Sequence, residues 1–75
     1  RRGELCFNDI AFTDAMCLLE RTYGVKIHIQ NSSYDGQRLR AHFNRNESLG
    51  TVLQIIKMMI PYFDYQIVGK DVYIE

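Results

Sequence analysis

Net charge is the first thing this chain lacks: nine lysines and arginines balance nine aspartates and glutamates. A nucleic-acid partner normally requires a marked basic excess, because affinity comes from neutralising phosphates, so the balance argues against one. Long apolar runs are missing too. The longest, Met58 to Ile60 with Ile55 and Ile56 before it, is broken by Lys57. Nothing approaches the roughly 18 consecutive apolar residues of a bilayer-spanning helix. No secretory signal is visible, and the opening at Arg1-Arg2 leads us to expect a piece of a longer protein.

Patterns that carry chemistry are equally sparse. Cys6 and Cys17 form no C-x-x-C, and no run of His or Cys has ligand spacing, so free thiols are expected, with an internal disulfide as the alternative. There is no glycine-rich phosphate loop and no glycine-flanked nucleophile. Ser32, Ser33 and Ser48 have no companion base. Asp14 and Glu20 do not face each other on a helix, where neighbours are three or four residues apart. His28 and His42 fall on the polar faces of their strands. They could share a metal if those strands were neighbours, but no carboxylate or thiol is spaced to complete the site, and solvated histidines are the plainer reading. Neither an enzyme nor a cofactor is expected.

What the chain does have is internal repetition. Residues 7–29 read strand, helix, strand, and residues 43–67 read the same again. Phe7 answers to Phe43, Phe12 to Leu49, Met16 to Leu53, Leu19 to Ile56, Tyr23 to Ile60 and Ile29 to Ile67, with the offset drifting from 36 to 38. Two units and no third imply one pseudo-symmetric domain, residues 1–75, and not a repeat array. A chain this short buries only about 60% of the surface its unfolded form exposes, so its stability margin is thin.

In order, residues 4–8 alternate as a short strand with Leu5 and Phe7 on one face. Asp9 is expected to cap a helix from about Ile10 to Tyr23, which Gly24 ends. Phe12, Ala15, Met16, Leu18, Leu19 and Tyr23 fill an apolar arc of roughly 160°, and Cys17 falls on the polar side. Val25, Ile27 and Ile29 alternate with Lys26, His28 and Gln30 as a second strand. Residues 31–37, with Asp35-Gly36, read as a polar loop. Leu39, Ala41 and Phe43 alternate with Arg38, Arg40 and His42 as a third strand. Asn46 is expected to cap the second helix, with Glu47 in its first turn, Lys57 in its last and Pro61 blocking continuation. Leu49, Val52, Leu53, Ile55, Ile56, Met59 and Ile60 cover its apolar arc, with Met58-Met59 read as core filler. Phe63, Tyr65 and Ile67 form a strand, Gly69-Lys70 a tight turn, and Val72 and Ile74 the returning strand. The expected fold is α+β: two βαβ repeats plus a C-terminal hairpin, in the order β-α-β-β-α-β-β, with two helices against small sheets.

The G-x-L-x-F of Gly3, Leu5 and Phe7, the L-E-R-T-Y-G-V-K-I of Leu19 to Ile27, the N-E-S-L-x-x-V-L of Asn46 to Leu53 and the closing V-Y-I of Val72 to Ile74 together resemble the C-terminal domain of FecR-like proteins of Bacteroides-type bacteria. The resemblance covers essentially the whole chain. The L-E-R-x-Y-x-V-x-I stretch is its most specific part, and Ala11 stands where family members often have Pro. A looser resemblance extends to the STN domain (secretin and TonB N-terminus).

The resemblance implies a periplasmic domain of an inner-membrane anti-sigma regulator. Its partners would be the periplasmic signalling domain of a TonB-dependent outer-membrane transporter and, indirectly, an extracytoplasmic-function sigma factor. The alternatives are an STN-type signalling domain of a transporter itself and, further off, a small enzyme or metal-binding domain.

Two surface features could serve such a partner. Arg38, Arg40 and His42 form a cationic row on one strand face, with Arg45 just beyond. The bland reading is a solvated face that blunts an edge strand; the sharper one is a docking strip for an acidic partner. Tyr73, if outward on a terminal strand, could anchor an interface, although most aromatics around the hairpin should be packing.

Overall fold

Two sheets share the strands of the two repeats between them. The computed structural model describes residues 5–44 and 46–75. Arg1, Arg2, Gly3 of the opening motif and Arg45 lie outside the described residues. The elements are β1 (Leu5–Ala11), α1 (Phe12–Tyr23), β2 (Lys26–Ile29), a 3-10 turn (Ser32–Tyr34), β3 (Arg38–Phe43), α2 (Leu49–Met59), β4 (Tyr65–Val68) and β5 (Asp71–Ile74). This is the α+β order expected. β1 and β3 pair antiparallel as a two-stranded sheet. β2 and β4 go to the other sheet, where they flank β5, parallel to β2 and antiparallel to β4. Each repeat thus sends its first strand to one sheet and its second strand to the other.

The apolar stripes of both helices, the inward faces of both sheets and the 3-10 turn meet in one core. α1 buries Phe12, Ala15, Met16 and Leu19, and α2 buries Val52, Leu53 and Ile56. Phe7 meets its repeat partner Phe43 edge-on, ring centroids 5.6 Å apart. Gly24 ends α1 in the left-handed conformation (φ 67°), its N–H donating to the Glu20 carbonyl. The Glu20 carboxylate accepts from the Ile27 N–H at 2.7 Å, fixing the approach to β2.

Several expectations need correction. Asp9 does not cap α1. β1 continues to Ala11 through a bulge between Phe7 and Ile10, with Asp9 at φ 56°. A bulge adds a residue and shifts the inward phase, so Ile10, not the next odd residue, faces Leu39. Aspartate tolerates the left-handed region better than most side chains. Helix α1 therefore begins at Phe12, behind Ala11, with no side-chain cap.

Asn46 does not cap α2 either. The chain still has to turn out of β3, and the Glu47 N–H donates back to the Asn44 carbonyl. Ser48 is the cap, accepting from the Thr51 N–H at 3.1 Å, which leaves Glu47 ahead of the helix.

Tyr34, expected in a polar loop, is core: its ring stacks on Phe12 at 4.5 Å and meets Phe63 edge-on. Its hydroxyl donates to the Glu75 carbonyl at 2.9 Å. Met58 is not core filler, being 76% exposed, and Met59 is exposed as well. Met58 stands on the helix face opposite the stripe of Val52, Leu53, Ile56 and Ile60, and Met59 at the stripe's margin, while Ile60 just beyond them is buried. Ile29 and Ile67, paired by the repeat and expected inside, are 38% and 43% exposed.

Candidate functional site

β3 places Arg38, Arg40 and His42 on one face by simple alternation, and all three are exposed. Successive same-face residues on a strand are about 6.6 Å apart, so the row is roughly 13 Å long. Its opposite face carries Leu39 and Phe43 into the core. The β1 bulge is what the cations lean on. The Arg38 guanidinium donates to the Asp9 carboxylate at 3.1 Å and to the Asp9 carbonyl at 2.6 Å. Arg40 donates to the Asn8 side-chain oxygen at 3.3 Å. Exposed pairs of this kind contribute only about 0–1 kcal/mol, so they orient the arginines more than they stabilise the fold. Asp9 offsets part of the row's charge at the Arg38 end, and the row's net positive potential lies toward Arg40.

Tyr73 is not brought to this row, and it is not on an edge. β5 is last in the chain but central in its sheet. Tyr73 is half-buried, its ring stacked on His28 at 4.7 Å with planes 14° apart. His28 in turn bonds the Asp71 carboxylate at 2.9 Å. These three residues form a compact group on the outer face of the three-stranded sheet, across the β2–β5 pair. His28 and His42 sit in different sheets and do not converge. Among the described residues no cluster of three or more His, Cys, Asp or Glu could hold a metal. Cys6 and Cys17 are free thiols and exposed.

The titratable groups that depart from their ordinary behaviour are structural. Burial raises the Tyr23 phenol above its usual value, and the nearby Glu47 charge adds to this; its hydroxyl donates to the Glu47 carbonyl at 2.8 Å. Burial likewise raises Tyr34, with Tyr62, Asp64 and Glu75 pushing the same way and a backbone hydrogen bond at Asp64 opposing. Both phenols join distant parts of the chain. The role of Tyr34 escaped the sequence reading. The available signal was a large aromatic in an otherwise polar Asn-Ser-Ser-Tyr-Asp-Gly stretch.

The geometry describes a small α+β module of two strand–helix–strand units whose accessible features are strand faces and edges. The family model for the FecR C-terminal region ("FecR, C-terminal") matches residues 4–74, and the chain belongs to that family. Two crystal structures, each of a candidate anti-sigma factor from Parabacteroides distasonis, have the same fold. One is 24% identical with a TM-score of 0.85, and the alignment covers 99% of this chain and 34% of that one. The other is 22% identical with a TM-score of 0.84, covering 97% of this chain and 33% of that one. The chain thus spans about a third of the length of these structures. No curated protein matches it. No helix among the described residues is long and apolar enough to cross a membrane.

Proposed function

We propose that this chain is the periplasmic, C-terminal signalling domain of a membrane-spanning anti-sigma regulator. It binds the periplasmic signalling domain of a TonB-dependent outer-membrane transporter, and the change is relayed to an extracytoplasmic-function sigma factor. The observation that carries this reading is the family match over residues 4–74; the shared fold with candidate anti-sigma factors is consistent with it. In this reading the membrane helix and the sigma-binding segment belong to other parts of the regulator.

The domain works by binding, not chemistry. A bound partner shifts the regulator between two states only as far as it prefers one of them, and a full reversal of populations takes about a 10⁴-fold preference. The row of Arg38, Arg40 and His42 serves as the steering surface, since exposed charge governs the rate of encounter more than affinity. The face bearing Tyr73 and His28 is the second contact candidate.

Surface plasmon resonance against the transporter signalling domains of the same organism, one at a time and at two salt concentrations, tests this. Binding by one of them is expected. Arg38→Glu with Arg40→Glu should slow association, and the slowing should shrink in high salt as screening sets in. No binding by any of them overturns the reading. An unchanged association rate in the folded double variant removes the row from the interface.

A further inference from the structure

Among the described residues the two sheets have four outer edges, formed by β1, β3, β2 and β4. Natural edges are protected against stray pairing by charge, bulges or proline. β1 has its bulge at Asn8-Asp9, β3 has Arg38 and Arg40, and β2 has Lys26 and His28. β4, Tyr-Gln-Ile-Val, has none of these, and Ile67 and Val68 stand 43% and 58% exposed.

The backbone direction at this edge follows from the hydrogen bonds of the neighbouring strand. Lys26 and Gln30 N–H groups donate to the carbonyls of Lys70 and Ile74 at 2.8 and 2.9 Å. The even residues of β5 therefore face β2, and Asp71 and Tyr73 face β4. In an antiparallel ladder hydrogen-bonded and non-bonded pairs alternate, so Val68 and Gln66 are the β4 residues bonded to β5. Tyr65 and Ile67 turn their backbone groups outward. The Tyr65 N–H is already taken by the Asp64 carboxylate at 3.0 Å. The Ile67 N–H and carbonyl are left facing the open edge, beside the exposed side chains of Ile67 and Val68.

We infer that β4 is a strand-addition site: an extended, uncharged, apolar segment of the partner domain pairs with it as a fourth strand. This rests on the reading given under Proposed function. Main-chain bonds at Ile67 supply the pairing, and side chains opposite Ile67 and Val68 supply selectivity. Charge supports an uncharged occupant, because the charges bordering β4 are of both signs: Lys57 pairs with Asp64 at 3.6 Å, and Lys70 is followed by Asp71, which lies opposite Val68 and bonds His28 at 2.9 Å. A second copy of this chain fits less well. A two-fold axis normal to the sheet must pass at one residue to keep both inner faces on the same side, and centring it on Ile67 pairs only Gln66, Ile67 and Val68. A partner strand is free of that symmetry constraint and can run along the whole of β4, reaching the outward Tyr65 carbonyl as well.

The test uses the 75-residue chain and the transporter signalling domains of the same organism as probes, with amide exchange read residue by residue. In the complex the Ile67 amide should exchange at least tenfold more slowly. Ile67→Pro, which removes an outward N–H without touching the β4–β5 ladder, and Val68→Lys, which charges the edge, should each weaken binding at least tenfold. If circular dichroism shows Ile67→Pro unfolded, Val68→Lys and the exchange data decide. Unchanged affinity in the folded variants with an unprotected Ile67 amide overturns the inference and leaves the proposed function standing. No binding by the parent chain overturns both. Concentration-dependent protection of Ile67 without any partner overturns the inference in favour of a second copy.

Discussion

The two repeats agree where they touch the core and differ at their ends. Leu19 and Ile56 are fully buried, as are Met16 and Leu53, and Phe7 and Phe43 are buried against each other. Ile29 and Ile67 are equivalent as well, but equally exposed. Differences gather at helix starts. Phe12 is buried under Tyr34 while its counterpart Leu49 is half-buried, and α1 starts without a side-chain cap while α2 has Ser48. The shared core dictates the repeat, whereas each terminus is settled by what the neighbouring loop supplies: a bulge before α1, a turn before α2.

The sharpest way to break the equivalence is at its centre. Leu19→Ala and Ile56→Ala should each cost about 2–5 kcal/mol, the ordinary range for a buried aliphatic truncated to Ala. That is comparable to the whole stability of a domain this size, roughly 4–11 kcal/mol at 0.05–0.15 per residue. Urea melts should show both variants strongly destabilised, and near-parental midpoints for either would dissolve the repeat alignment. Ile29→Ala and Ile67→Ala form the matched control and should cost much less.

Next comes a contact the second repeat does not have. Tyr34→Phe keeps the ring stacked on Phe12 but loses the bond to the Glu75 carbonyl, for about 0.5–1.5 kcal/mol by thermal melt. The same residue sets an alkaline limit. Tyr34 and Tyr23 have phenol pKa values raised in the fold above the ordinary 10.0. Their protonated forms therefore add stability that is complete below pH 10 and is lost as pH rises through the raised values. Melts followed by tyrosinate absorbance should show unfolding and ionisation together, and Tyr34→Phe should flatten that slope.

The caps test the difference at the helix starts. Ser48→Ala should cost about 1 kcal/mol. Ala11→Ser, which offers α1 the hydroxyl it lacks, should recover a few tenths to about 1 kcal/mol, within the range of capping effects. A neutral Ser48→Ala would show that α2 does not depend on its cap.

The smallest effect is expected at the arginine row. Arg38→Glu should change stability by no more than about 1 kcal/mol, because its bonds to Asp9 are exposed. A larger loss would mean that the ion pair holds the β1 bulge in place.

What the sequence made legible follows from periodicity. The helical stripes, the alternation of Leu39, Ala41 and Phe43, and the hairpin turn at Gly69-Lys70 all have local signals, and the element order followed from them. The helix caps did not, because Asp9 and Asn46 are good caps chemically and only the tertiary path decides which polar residue ends up at the helix start. Tyr34 was illegible because its burial depends on Phe12 and Phe63, far away in the chain. Ile67 read as core because alternation tells which face a side chain takes and not how far a helix extends over that face. The row of Arg38, Arg40 and His42 was legible as a face, but its partial compensation by Asp9 required the bulge, which leaves no trace in the alternation of Leu5 and Phe7.

The central place of β5 also has a bearing on how the protein is made. Lys26 pairs with Asp71, and Val68 reaches its sheet only through that same last strand. A ribosome delivers β2 and β4 before the strand that joins them. The nascent chain can close the β1–β3 pair early, but it must hold the second sheet open until β5 has emerged. Pairings between residues so far apart are slow to form, and unpaired strands are prone to aggregate while they wait. The growing chain thus stays dependent on protection until β5 is available to pair.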